Sequence, residues 1–231
     1  MNTAYATTTD TSFFCDAKDQ FNTIIAELQS ESFANMEHGD VECHINQQGH
    51  EVMRRLLQGH FNLMAANEAT KPHVTSETGI SLSHVRRQTL RTLSSQFGDV
   101  QVTRKSYSQR GQSSQFPLDA QLNLAQDCYS DGLRRQVALE ALKGSYDNVI
   151  ESIDNTTAGH IPKRQSMNVV QDVSQDFEEF YQQSRFKKPE ETKDLLVLTF
   201  DGKGIVMHKE GLREGTRKAA EASKKLNSRW V

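Results

Sequence analysis

Residues 129–181 read YSDGLRRQVALEALKGSYDNVIESIDNTTAGHIPKRQSMNVVQDVSQDFEEFY, and their punctuation decides the fold. A helix over Tyr129–Leu142 ends at Gly144. Ser145 then caps a second helix, in which Tyr146, Val149, Ile150 and Ile153 recur at the spacing of one buried face. Thr156-Thr157-Ala158-Gly159-His160-Ile161 is a tight polar turn containing a glycine. Pro162 suits the first turn of a third helix, whose apolar stripe is Val170, Val173, Phe177, Phe180 and Tyr181. Helix, helix, glycine turn, helix is the order of a helix-turn-helix. With about 100° per residue, the face opposite Val170 and Phe177 presents Arg164, Asn168, Gln171 and Gln175, with Gln165 beside them. Arg, Asn and Gln have the bidentate geometry that matches guanine and adenine edges in the major groove. Here they occupy the first turns of the third helix, where a recognition helix makes its base contacts. Lys163 is placed to touch phosphate. The plain alternative is a three-helix bundle with a polar outer face, a unit that also serves as a scaffold.

Upstream, residues 86–108 are RRQTLRTLSSQFGDVQVTRKSYS, rich in Thr, Val and aromatics. Gly98-Asp99 at the middle, flanked by Phe97 and Val100, predicts a two-residue turn, and so a basic β-hairpin over 84–110. Pro117 and a Gln/Ser/Asn mixture make 111–127 a loop. Before the hairpin, Phe21, Ile24, Ile25 and Leu28 form one helical stripe. Val41, Ile45, Val52, Leu56 and Leu63 form a second, widened by Met53, Leu57, Phe61 and Met64. A helical region over 16–70 follows, weakened at Gly49 and Gly59 and ended by Lys71-Pro72. The Thr/Ser-rich start predicts a disordered N-terminus over 1–15.

Composition bounds the function. At about 150 residues per domain, 231 residues give one to two domains, and 35% hydrophobic residues are few for one compact domain. No run approaches the roughly 18 apolar residues of a membrane span, and the first twelve residues lack the basic start and apolar core of a signal peptide. Cys15, Cys43 and Cys128 are odd in number and far apart, as reduced thiols of a cytoplasmic protein are. The net charge of −3 hides an asymmetry: residues 1–70 hold three Lys/Arg against ten Asp/Glu. Residues 86–110 hold six cations, Arg86, Arg87, Arg91, Arg104, Lys105 and Arg110, against Asp99. A polyanion partner fits that basic segment, with Arg87, Arg91, Arg104 and Lys105 as candidate contacts. A solvated strand surface fits it as well, and charge alone favours that reading.

After Lys187-Lys188-Pro189 the character changes. Leu195-Leu196-Val197-Leu198-Thr199-Phe200 is the short continuous apolar run of a strand buried on both faces, and Asp201-Gly202 follows at once. Ile205-Val206-Met207 is a second short strand, and 212–226 a basic, helix-prone tail. A carboxylate at the end of a buried strand is aimed as a metal-dependent phosphoryl-transfer site requires. Asp-Gly is also a common turn pair, and on pattern alone the turn prevails. Gly202-Lys203-Gly204 lacks the spacing of a phosphate loop. His38, His44 and His50 do not converge on one helical face, which argues against a zinc site with Cys43, and Cys128 has no positioned base.

Several ordered segments resemble the bacterial insertion-sequence transposases of the ISKra-four family. They are Met36-Glu37-His38-Gly39-Asp40-Val41-Glu42, Leu56-Leu57-Gln58-Gly59-His60, Phe97-Gly98-Asp99-Val100, Phe116-Pro117-Leu118-Asp119 with Leu122-Asn123-Leu124, Tyr129 to Arg135, and Pro162-Lys163-Arg164-Gln165. The most specific is LLVLTFDGKGIVMHKEGLREGTRKAA, Leu195 to Ala220, and the resemblance runs over about residues 36–228. It implies DNA cleavage and strand transfer by a ribonuclease-H-like domain with an acidic triad and Mg²⁺. Asp201 matches the first acid, as catalytic residue and metal ligand, at the end of the first strand. The region before it would bind the element's terminal repeats. The second and third acids are absent, and Trp230-Val231 departs from the family continuation, which predicts a truncated domain over 194–231.

The expected fold is therefore mainly α with a β-hairpin. A helix-turn-helix over 128–186 is followed by the first strands of an incomplete ribonuclease-H-like α/β domain. The expected function is binding of double-stranded DNA at transposon ends by a cytoplasmic, nucleoid-associated protein with no membrane segment. Self-association or pairing with intact transposase belongs to the same expectation. A stand-alone DNA-binding regulator, or an inhibitor of transposition, is the second reading. A partly unfolded product with an exposed LLVLTF edge is the third.

Overall fold

A computed structural model of the chain describes residues 11–76, 78–175, 179, 182 and 183. Asp201, the LLVLTF run, the expected ribonuclease-H-like segment 194–231, and Phe177, Phe180 and Tyr181 of the third-helix stripe lie outside the described residues, as do residues 1–10.

Thr11–Phe14 form a single 3-10 turn that leads into α1 (Cys15–Leu28). This corrects the expected disorder for 11–15. Phe13 and Phe14 settle against Gly59 of a later helix, which supplies the apolar anchorage that the Thr-rich composition conceals. After the short α2 (Glu31–Ala34) comes α3 (His38–Asn67), 30 residues long and so about 45 Å at 1.5 Å per residue. α1 runs antiparallel to α3. The Arg55 guanidinium donates to the Asp16 carbonyl, Gln20 Nε2 to Gln48 Oε1 at 2.7 Å, and His44 meets Glu27 at 2.9 Å. Gly59 is required here, because a Cβ would lie 2.4 Å from the Phe13 carbonyl oxygen.

Two antiparallel ribbons follow. β1 (Val74–Thr75) pairs with β2 (Ser81–Leu82), and β3 (His84–Ser95) pairs with β4 (Gly98–Ser108). The long hairpin is present, but its turn is Gln96-Phe97. Ser95 pairs with Gly98, and Gly98 opens β4 at φ 107°, a value that disfavours any side chain. The register shifts between Arg86 and Thr89. The expected loop 111–127 contains α4 (Pro117–Gln121), with Pro117 in its first turn and Leu118 buried. Leu118 joins Phe61 of α3 and Leu93, Val100 and Val102 of the hairpin in one core.

A second core unites three consecutive helices: α5 (Asp131–Ala141), α6 (Tyr146–Thr156) and α7 (Lys163–Val173). It holds Tyr129, Leu133, Val137, Val149, Ile153, Ile161 and Val169. Ser130 and Ser145 cap α5 and α6, accepting from Leu133 N and Asn148 N. On α7 the buried positions are Ser166 and Val169, with Val170 packed beside them. Val173, expected in the stripe, is 47% exposed, because the helix ends there with nothing packed over it among the described residues.

The helical trio meets the turn end of the hairpin through backbone. Ser94 N donates to the Cys128 carbonyl, Ser130 N to the Ser94 carbonyl, and Ala158 N to the Gln96 carbonyl, at 2.7–2.9 Å. Among the described residues no helix is long and apolar enough to cross a membrane.

Candidate nucleic-acid interface

The candidate residues fall on two elements, and the structure treats them differently. On α7 the candidate face stands clear of the core. Arg164, Gln165, Asn168 and Gln171 are all exposed, above the buried Ser166 and Val169. Arg164 has no bonded partner among the described residues. Lys163 is engaged: its ammonium donates to both carboxylate oxygens of Asp147 on α6, at 2.6 and 2.7 Å. Both side chains are exposed, so that pair is cheap to break.

The amide side chains border a cleft of about 670 Å³. Gln165, Asn168, Gln171 and Gln175 form one wall, and Gln126 and Asp127 lie opposite. A buried guanidinium fixes the two walls. Arg134 of α5 donates to Asp127 and to Asp172, tying α7 to the segment before α5. Burial works against the Arg134 charge, but the bond to Asp172 and the nearby carboxylates of Asp127 and Asp131 outweigh it and raise its pKa. The cleft thus presents neutral amide donors and acceptors beside carboxylates that already have a cationic partner. In the core of the helical trio, burial and the neighbouring Cys128 push the Tyr129 hydroxyl up to about 12.

On the hairpin, most of the candidate cations point inward. Arg91 donates to Asp119 Oδ2 at 3.0 Å and to the carbonyls of Ala125 and Asp127. Arg104 donates to the same Asp119 oxygen and lies over the Phe116 ring, 3.9 Å from its centroid. Lys105 is bonded at its ammonium to the Glu68 carbonyl and at its backbone N to Glu68 Oε2. Burial raises the Glu68 pKa, with the Lys105 bond working against that shift. Three atoms of this cluster, Glu68 Oε1, Arg104 Nε and Asp119 Oδ1, are buried without a partner. Arg87 is exposed, as are Arg86 and Arg110.

The two sets of cations are therefore not one patch. The helical trio contacts the hairpin at its turn, whereas Arg87 lies eight residue steps back along β3, about 26 Å away at 3.3 Å per residue. Sequence reasoning missed Asp119, Asp127, Arg134 and Asp172, which organise the site. Alternation along the strands carried part of the signal. Arg104 shares its face with Val100 and Val102, and Arg91 with Leu93, so both were marked as inward. Among the described residues no three His, Cys, Asp or Glu side chains come together to hold a metal ion. In comparisons with family models, with curated proteins and with solved structures, nothing matches.

Proposed function

We propose that this chain is a DNA-binding portion of a transposase, that α6 and α7 are the paired helices of a helix-turn-helix, and that α7 reads base edges at the ends of the element. The observation that carries this reading is the outer face of α7. It offers Arg164, Gln165, Asn168 and Gln171, all exposed, on the first turns of a helix whose opposite side is locked into a core. Such side chains discriminate bases by paired hydrogen bonds. Lys163 releases Asp147 and turns to phosphate at little cost. The link between α6 and α7, residues 157–162, is longer than the turn of about three to four residues in the compact form of the motif.

The hairpin's contribution narrows from the sequence-based expectation. Arg91, Arg104 and Lys105 maintain the fold, and Arg87, with Arg86 and Arg110, supplies backbone contacts away from the helices. The catalytic part of the reading, with Asp201 as the first metal-binding acid and Mg²⁺ as its ion, rests on the family resemblance alone.

The test is enrichment of bound duplexes from a random library by the full chain, followed by affinity measurements at several salt concentrations. The expected result is a defined sequence. Arg164→Ala should relax one position of it by about 1–3 kcal/mol, and Arg87→Ala should weaken every sequence alike and flatten the salt slope. Failure to enrich any sequence, or equal losses on every sequence for Arg164→Ala, rejects α7 as the recognition helix.

A further inference from the structure

The α1–α3 hairpin carries an apolar face that the described residues leave uncovered. Phe21, Ile25 and Leu28 are exposed along α1, and Ile45, Met53 and Leu56 along α3, with Phe21 56% exposed. The first set is spaced by four and three residues and the second by eight and three, so each lies along one side of its helix. Between the two lines runs a groove of about 410 Å³, walled by Phe14, Ala17, Lys18, Phe21, Val52 and Leu56.

Two further features indicate what covers this face. Gly49 stands in the middle of the α3 line, four residues from both Ile45 and Met53. A Cβ added there would meet nothing within 4 Å. A glycine inside a long helix costs about 1 kcal/mol against alanine, and nothing within this hairpin requires it. Gly59, ten residues on, is by contrast pressed against Phe13. A bare backbone at the centre of an apolar line lets a second helix approach closely. The ends of the face carry opposite charges. Lys18 continues the α1 line beyond Phe21, Glu42 continues the α3 line beyond Ile45, and both are exposed without partners among the described residues. Because the helices are antiparallel, Lys18 lies at the Leu56 end and Glu42 at the Leu28 end. Two other carboxylates of the helical hairpin are already held, Glu27 by His44 and Glu51 by Arg54 and Arg55.

We infer that a second copy of this chain docks on this face, antiparallel, to form a four-helix bundle. A two-fold axis across the helices brings Gly49 over Gly49 of the second copy, so one gap serves both chains. The same operation puts Lys18 of each chain at the end occupied by Glu42 of the other. A two-fold along the helices would instead place like charges together. The symmetric arrangement accounts for the glycine, the apolar lines and the charge polarity together.

Sedimentation of the full chain tests this. The wild-type chain should be a dimer. Gly49→Glu, whose Cβ meets nothing within 4 Å in one chain, should weaken the dimer by about tenfold or more while circular dichroism retains the helix content. Met53→Glu should do the same and guards against a local effect at residue 49. Lys18→Glu should weaken association by about two- to fivefold, a surface pair's contribution, and adding Glu42→Lys should restore it. A monomeric wild-type chain overturns the inference. So does a dimer that Gly49→Glu and Met53→Glu both leave intact, or a charge-reversed double variant no tighter than Lys18→Glu alone.

Discussion

Arg104 of β4 is buried against Asp119 of α4, and the same carboxylate oxygen also receives Arg91 of β3. One carboxylate thus compensates two guanidiniums between the hairpin and α4. Removing it strands both cations. Asp119→Ala should cost about 3–5 kcal/mol, the range for a buried pair broken on one side. The triple variant Asp119→Leu, Arg91→Met, Arg104→Met should recover most of that loss. Urea unfolding followed by circular dichroism measures both. Equal stability of Asp119→Ala and wild type would show that the cluster does not hold the hairpin to α4.

Gly159 sits where the helical trio meets the hairpin turn, and a Cβ there would lie 2.4 Å from the Ser95 carbonyl oxygen. That atom is backbone and cannot swing aside. Gly159→Ala should therefore destabilise by about 1–3 kcal/mol, as overpacking does. Gly144→Ala is the comparator: its nearest neighbour is the end of the Asn148 side chain at 3.1 Å, which can give way. Thermal unfolding of the two variants should separate them clearly.

Glu51 is held down to about 2 from an ordinary 4.5, mainly by its bond to Arg54, with Arg55 adding to the effect and burial opposing it. A depressed carboxylate stabilises the folded chain above its unfolded pKa and loses that contribution as the pH falls through the folded value. Between pH 4.5 and about 2 the wild-type chain should therefore lose stability faster than Glu51→Gln. Glu68, whose pKa burial raises, acts in the opposite sense. Only the difference between the two unfolding curves isolates Glu51, and parallel curves across that window would discount the Arg54–Glu51 bond.

Local signals were legible in the sequence, and long-range ones were not. Ser145 at the head of α6 reads directly, because a cap needs only its own helix. The hairpin reads too, but Gly98 drew the turn two residues too late. Its positive φ serves the first residue of β4. The polar face of α7 follows from periodicity alone. Its apolar side is turned by one residue: Ser166 and Val169 are buried, Val170 packs beside them and Val173 is exposed, because the core meets α7 at its first turns. The bonds from Arg134 to Asp127 and Asp172 join residues 7 and 38 positions apart, and no spacing rule reaches across that interval.

The backbone bonds at Ser94, Gln96, Cys128 and Ala158, with the Gln96 side chain donating to the Gly132 carbonyl, make the join between the helical trio and the hairpin a weld. The hairpin therefore fixes a spacing. Its open end, with Arg86 and Arg87, is held at a set distance from α7, and that distance is written into the length of two strands. Lengthening β3 and β4 by two residues each would move the cations about 7 Å farther from the backbone bonds at the turn. A partner that bound both ends would have to present its own contacts at the matching interval.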